Sequence, residues 1–521
     1  MVSVLERCQV SPPPGTTSDK TLPLTFFDLR MVHYSPKHLF FYENTNISKS
    51  HFIESIFPSL KHSLSITLKY FYPFAGNLVF PPNSAKPEIR YLEGDSASLI
   101  FAESSSDFNH LTGKQTRDAT EYLPFLPQLP PETMSHGTRV VPILALQVTV
   151  FPNSGICVGI HVRHAVGDGN SFLTVFFKTW ASITKGGGDA ACLSGELVPW
   201  YDRTRLRDPE GLELENIVWN YVKQQRSEPD HQLPTDINAR ARFVISHATA
   251  QQLKKLVLAR YPSISYVSTF TVVCGYVWSC LAKARAACGK DDDDEVGRFL
   301  CEIDCRTRLD PPFSTTYIGN CVAPSIACAK MAQLKGRDGF VIAAKSIGDT
   351  LHKNLHQAGG VLKGVKNWVP GWEAAREGWF LGSNGSPKFK MCSFDFGWGR
   401  PKTNEDLCID EFEGIALYDG QNEGETEIVV ANLKPIVDAF SSIFSTGLQT
   451  LNDQVKKIGA NHYARKRRER QLSKKKIRKK KRERQLREKK YRKASCSFIL
   501  ATIPVARNQE RAFNGGRKEA K

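Results

Sequence analysis

The sequence predicts an α/β fold, and three observations carry the prediction. Two β-rich segments, Leu144 to Phe151 and Ile156 to Arg163, flank Pro152-Asn153-Ser154-Gly155, a turn sequence of the hairpin kind. Directly after them Phe172, Val175, Phe176, Trp180 and Ile183 recur at helical spacing. The composition, 41% hydrophobic, 10% aromatic and 24% charged over 521 residues, is that of a globular chain able to bury a large core.

The elements follow in order. Leu22 to Tyr42 and Leu64 to Phe80 are apolar segments broken by Pro and Gly, early strands and helices of the packed body. The hairpin and its helix come next. Lys185 to Gly195 (KGGGDAACLSG), with the polar Tyr201 to Glu215 behind it, reads as a linker because three successive glycines carry nothing to pack. The expected division is a first domain at 1–185, a crossover at 186–216, a second domain at 217–450 and a tail at 451–521. Asp291 to Glu295 (DDDDE) reads as a solvated loop.

The net charge of +17 belongs to the tail. Residues 451–521 hold 26 Lys and Arg against 6 Asp and Glu, whereas the other 450 residues hold 44 against 47. The tail repeats every 14 residues, KRRERQLSKKKIRK at 466–479 and KKRERQLREKKYRK at 480–493. Only Leu472, Ile477, Leu486 and Tyr491 are apolar there, too few for a coiled-coil seam. A disordered or helical extension is expected, with nuclear or nucleic-acid association through 455–493 as the functional alternative. Thirteen scattered cysteines without a CxxC pair point to reduced thiols. The first 15 residues carry Glu6, Arg7 and three prolines where an export signal needs an apolar core, and the expectation is a cytoplasmic monomer without resident metal or cofactor. Neither GxSxG, GxxxxGK[ST] nor a strand-linked GxGxxG occurs, which excludes the corresponding hydrolase and nucleotide-binding classes.

The chemistry concentrates after the hairpin. Ile156, Val158, Ile160, Val162 and His164 share parity, so a period of two turns His164 inward with the apolar residues. His161 has the opposite parity, and the two histidines do not share a metal. Asp168 follows between Gly167 and Gly169, and Asn170 or Ser171 is placed to cap the helix. An imidazole of pKa roughly 6.5 suits proton abstraction near neutrality; parity alone also fits a buried structural histidine.

His164-Ala-Val-Gly-Asp168, extended by Gly169, fits HxxxDG, and Asp395-Phe396-Gly397-Trp398-Gly399 reads DFGWG. In this order the two motifs resemble those of the plant BAHD acyltransferases, which transfer acyl groups from coenzyme A thioesters. LTFFDL at 24–29, YPFAGNL at 72–78, STFTVVCGYVWSCL at 268–281 and DCRTRLDPP at 304–312 agree with it. The likeness spans residues 3–450 and stops where the basic tail begins.

The resemblance implies two similar-sized chloramphenicol-acetyltransferase-like domains, each a mixed sheet with helices, and a channel between them with the histidine at its middle. It implies acyl-CoA as cosubstrate, His164 as general base and Asp168 as structural support paired with Arg306 or Arg308. Asp395, Trp398, Gly399, Asn170, Tyr317 and Asn320 become channel-shaping or substrate-binding residues. The helix starting at Ser268-Thr269 offers amides for a phosphate. Tyr317 to Cys321 (YIGNC) is one substitution from the YFGNC of members that acylate anthocyanins and phenolic glucosides, and Tyr201 to Thr204 (YDRT) resembles the same clade. The implied acceptor is a sugar hydroxyl on a phenolic glycoside. Malonyl donors call for a cation, often Lys or Arg after the DG; Asn170 stands there, which leaves hydroxycinnamoyl donors open.

Overall fold

Alternating side chains of one strand separate two cores. In the computed structural model Leu144–Phe151 and Gly155–Val162 pair antiparallel, Val148 opposite Val158, around a turn in which Asn153 takes φ 58°. Ile156, Val158, Ile160 and Val162 join the large core with Phe40 and Tyr42, while Cys157 joins Leu39 and Phe41 on the other side. The structure describes residues 1–499 except 84, 194–197, 207–210, 212, 226–238, 358–359, 369–370, 372–377 and 412.

Among the described residues, the six-stranded sheet runs Val2–Val10, Ala97–Ser104, Leu144–Phe151, Gly155–Val162, Lys37–Glu43, Thr403–Asp406. Its middle strand Leu144–Phe151 is buried throughout and so reads apolar on both faces. Gln147, the polar exception, donates its amide to the Pro124 carbonyl (3.0 Å) and Thr149 Oγ1 (3.1 Å). A seven-stranded sheet runs Val322–Lys330, Val296–Asp304, Phe380–Gly385, Gly414–Asp419, Thr426–Asn432, Ala239–Ile245, Arg117–Asp118. A five-stranded sheet from the first 142 residues completes the set.

Each half of the chain lends a strand to the other half's sheet: Thr403–Asp406 pairs with Lys37–Glu43, and Arg117–Asp118 with Ala239–Ile245. Residues Met1–Leu451 accordingly form one compact unit. The expected linker at 186–216 is tied into it where described, since Trp200 exchanges backbone hydrogen bonds with Thr316 and Ile318 and Arg203 is 8% exposed. Polar side chains hold the exchange. Glu405 meets Arg240 at 3.0 Å and Arg242 at 2.8 Å, and Arg242 also bonds Glu427 at 2.5 Å. Burial pushes the Glu405 carboxyl up, but the two guanidiniums push it down further, so it stays ionised. Glu405→Ala leaves two buried cations short of a partner and should destabilise the protein by ~3–5 kcal/mol, against ~1 kcal/mol or less for breaking the surface pair Lys49–Glu103. Urea denaturation of the two variants measures the contrast.

The helix Lys434–Ile499 starts with Ile436, Val437, Phe440 and Phe444 buried. The second unit, Asn452–Lys521, is helical where described, and its side chains at 470–492 are all exposed. No described helix is long and apolar enough to cross a membrane.

Candidate active site

The strand ends at Val162, two residues before the parity argument needs it to. His164 instead opens the 3₁₀ turn His164–Val166, and its backbone N–H donates to the Tyr34 carbonyl (2.9 Å). The ring still faces the large core, edge-on to Phe172 (6.1 Å, 80°). It is partly buried: Nδ1 is enclosed, while Nε2 is not among the buried polar atoms and keeps contact with solvent. Burial, with help from Arg30, holds its pKa below 6.5 against the opposing pull of Asp168. The imidazole is therefore neutral at pH 7, with its outer nitrogen free to accept a proton.

Asp168 is engaged by Arg306, Ser171 and Cys321 and not by the imidazole. It is 3% exposed, and Arg306 forks onto it, Nη1 to Oδ2 at 2.9 Å and Nη2 to Oδ1 at 2.8 Å. The Cys321 N–H (2.9 Å) and Ser171 N–H (3.2 Å) also donate to the carboxylate. Burial pushes the acid up, but Arg306 and the amides outweigh it and hold the carboxyl below the usual range. Arg308 does not reach the site; exposed, it donates to the Asp304 carbonyl at 2.6 Å. Of the two arginines Arg306 is the one that pairs with Asp168, and it does so while bonding the Tyr317 and Gly319 carbonyls.

Neither Asn170 nor Ser171 caps the helix. Gly169 holds the N-cap position without a side chain, and the cap bond to Ser171 comes from Asp168. The first turns, Asn170–Phe177, are π-helical, a geometry that often marks functional sites. Gly167 is required by space, because a Cβ there would lie 2.5 Å from Ser171 Cβ. Asn170 donates its amide to the Thr315 carbonyl (2.8 Å), so its side chain is already engaged.

Asp395 organises the second motif. One oxygen accepts from the Gly397 and Gly399 amides, both at 2.8 Å, and the other from Lys185 Nζ at 2.7 Å. Gly397 and Gly399 have φ of 100° and 89°, where a side chain is strained. Phe396 stacks on Trp398 (5.2 Å, 19°) and meets Trp180 edge-on, and the partly exposed Trp398 ring also contacts Tyr42.

Tyr317 and Asn320, expected along a substrate path, are 0% exposed. Tyr317 lies between the guanidiniums of Arg203 and Arg306, 6.0 and 5.7 Å from its ring, and serves as packing. Asn320 belongs to a second buried ion pair that sequence reasoning did not assign. Asp28 accepts from Arg203 Nη1 (2.6 Å), from the Asn320 backbone N–H (2.7 Å) and from Asn320 Nδ2 (2.9 Å). Asp28 and Arg203 lie in the LTFFDL and YDRT segments that agree with the family, and that agreement was the one available signal. The Ser268 hydroxyl caps its own helix by accepting from the Thr271 N–H, so the expected phosphate site starts partly satisfied.

A base of this kind sets a pH dependence. If His164 is the general base that the resemblance implies, it has to be neutral to act, and kcat/KM should fall as pH drops through its depressed pKa, placing the acid limb below pH 6.5. A pH profile of kcat/KM checks this, and a limb above 6.5 disagrees.

A family model described as the Transferase family matches residues 1–443. The malonyl-coenzyme A:anthocyanin 3-O-glucoside-6''-O-malonyltransferase of Dahlia pinnata is 38% identical, over 86% of this chain and 98% of that protein. Phenolic glucoside malonyltransferase 1 of Nicotiana tabacum is 37% identical, over 87% and 100%. Coumaroyl-CoA:anthocyanidin 3-O-glucoside-6''-O-coumaroyltransferase 1 of Arabidopsis thaliana is 34% identical, over 86% and 97%. Among solved structures, vinorine synthase superposes with a TM-score of 0.61 at 16% identity, over 84% of this chain and 96% of that one, which shows the shared fold.

Proposed function

This chain belongs to the BAHD acyltransferases of the Transferase family, and from that premise we propose that it carries a malonyl or hydroxycinnamoyl group from coenzyme A to a sugar hydroxyl of a phenolic or flavonoid glucoside, with His164 as general base. One observation carries the mechanism: a neutral, partly buried imidazole turns an enclosed Nδ1 inward and an open Nε2 outward. Both acyl classes occur among the similar relatives.

In this reading the donor and the acceptor meet at Nε2 from opposite ends of a channel between two acyltransferase domains. Nε2 removes the acceptor hydroxyl proton as the oxygen attacks the thioester carbonyl. The new C–O bond forms, the C–S bond breaks, and the imidazolium returns its proton to the departing coenzyme A sulfur. Base catalysis of this kind contributes typically ~10²–10⁴ in rate, and holding both substrates together supplies much of the rest. Asp168 and Arg306 keep the loop in place and do not touch the reacting atoms.

The test is release of free coenzyme A from malonyl-CoA or coumaroyl-CoA by the purified protein. Release should require a phenolic glucoside, with the acylated glucoside identified by mass. Folded protein that releases no thiol across a panel of donors and glucosides rejects the reading.

A second reading concerns the tail, and the exposure of every side chain at 470–492 favours it. Fourteen of these residues are Lys or Arg and two are Glu. At about 100° per residue the four apolar side chains form no single stripe, so the charge fits a polyanion better than a membrane surface. The partner proposed is a nucleic acid bound through its phosphates without base readout. Full-length protein should bind an arbitrary duplex with steep salt dependence, and removal of 470–521 should abolish binding while leaving acyl transfer unchanged. Equal binding by the truncated chain removes this reading.

A further inference from the structure

Gly169 is a glycine for a reason that its own backbone does not give. Its φ of −55° and ψ of −29° are right-handed helical values open to every residue. The reason comes from the other half of the chain. A Cβ at 169 would stand 2.9 Å from Cε2, 3.0 Å from Cζ and 3.9 Å from Cδ2 of Phe389, its three nearest atoms outside the adjoining residues. Phe389 ends the 3₁₀ turn Pro387–Phe389, and its half-buried ring packs on the large core. The ring therefore rests on bare backbone where the helix 170–185 begins. The turn that carries it is held on its own side: the Ser386 hydroxyl accepts from the Lys388 N–H (3.2 Å), and Asp419 accepts from the Met391 (2.8 Å) and Cys392 (3.3 Å) amides. From there the chain follows the helix. Phe394 meets Phe177 edge-on (5.8 Å), Phe396 meets Trp180 edge-on (4.9 Å), and Asp395 holds Lys185 at the far end.

Resting on His164 as the base, we propose that Phe389 is a positioning residue: its ring, seated on Gly169, sets where the helix starts and so where the loop 164–168 presents the imidazole. Two polar tethers also hold this region, Arg306 on Asp168 and the Thr315 carbonyl on the Asn170 amide. Phe389 comes from a separate segment, continuous with Asp395 to Gly399, so the second motif bears on the base through packing. A methyl group between the ring and the backbone forces one of them to move. A reacting group misplaced by about 1 Å can lose ~10² in rate. Phe172, in the first turns of the same helix, carries the displacement to the imidazole that it meets edge-on at 6.1 Å.

The experiment compares Gly169→Ala and Phe389→Ala, alone and together, in the full-length protein. Both should fold, since alanine accepts the dihedrals at 169 and the change at 389 trims a half-buried side chain. Each should lower kcat about tenfold or more with KM for acyl-CoA near its original value. The double variant should be no slower than the slower single one, because both changes remove the same contact. Gly169→Ala combined with Phe389→Leu should recover part of the lost kcat, since leucine packs on the seat without the outer ring atoms that meet the methyl. Phe389→Ala with kcat within about twofold of wild type overturns the proposal, and so does a double variant whose loss is the product of the two single losses. A second readout needs no substrate: in ¹H–¹³C spectra of the histidine rings, with the His164 signal assigned by its loss in His164→Gln, that signal should shift in Phe389→Ala as Phe172 moves beside it. A protein inactive toward every glucoside that still shows the shift refutes the substrate assignment and supports this role. An unchanged His164 signal refutes the role whatever the activity.

Discussion

His164→Ala should lower kcat by about 10²–10⁴-fold while leaving the fold intact and the binding of acyl-CoA near its original strength. The ring makes no side-chain hydrogen bond that the fold depends on, and its loss leaves a small, partly solvated gap beside Phe172. Activity should vanish toward every acceptor at once, because the proton transfer is common to all of them. Stopped-flow or discontinuous assay of coenzyme A release, alongside thermal unfolding, separates lost chemistry from lost structure. A variant that retains more than about a tenth of wild-type kcat would mean that another group takes the proton.

The second large effect is expected four residues further along the same loop. Asp168→Ala leaves the Arg306 guanidinium, 1% exposed on its side chain, facing an uncompensated interior. Breaking such a buried pair destabilises by ~3–5 kcal/mol, while replacing both partners with apolar residues of similar volume is far less harmful. Asp168→Leu combined with Arg306→Met should therefore fold better than Asp168→Ala, yet stay slow, since the loop that presents His164 loses its tether to Cys321 and Gly319. The Asp168 carboxyl is depressed in the native state, so its stabilisation is present above the unfolded value of ~3.9 and is lost as pH falls through the native value. Unfolding of wild type and variant should converge in acid and diverge toward neutrality, measured by urea titration at pH 3 and pH 7.

These effects also show what a single sequence can disclose. The hairpin, the inward parity of its second strand and the following apolar helix are local patterns, and each is found within about 40 residues of chain. Parity misplaced the end of the strand, but His164 still faces inward because the 3₁₀ turn carries it back over the same core. The cap was misread because Asp168, two residues before Asn170, reaches forward to the Ser171 amide. Arg306 and Arg308 could not be separated by sequence, since one residue of 3₁₀ phase decides which faces the loop.

Long-range charge pairing was beyond reach. Thr403–Asp406 reads TNED, hydrophilic enough to pass for a loop, yet all four residues are buried as an edge strand because Arg240 and Arg242 arrive from about 160 positions away. Asp28, Arg203 and Asn320 likewise converge from three distant segments, and only the finished fold shows that they share one carboxylate.

Transfer in the proposed mechanism is direct from thioester to acceptor, driven by one imidazole and with no acyl group resting on the protein. Intact-mass measurement of the enzyme incubated with acyl-CoA alone tests it most directly. Direct transfer predicts an unmodified chain mass and no coenzyme A release until a glucoside is added, whereupon acylated glucoside and free thiol appear together. A stable acyl adduct on the chain that is then consumed by the glucoside would contradict it.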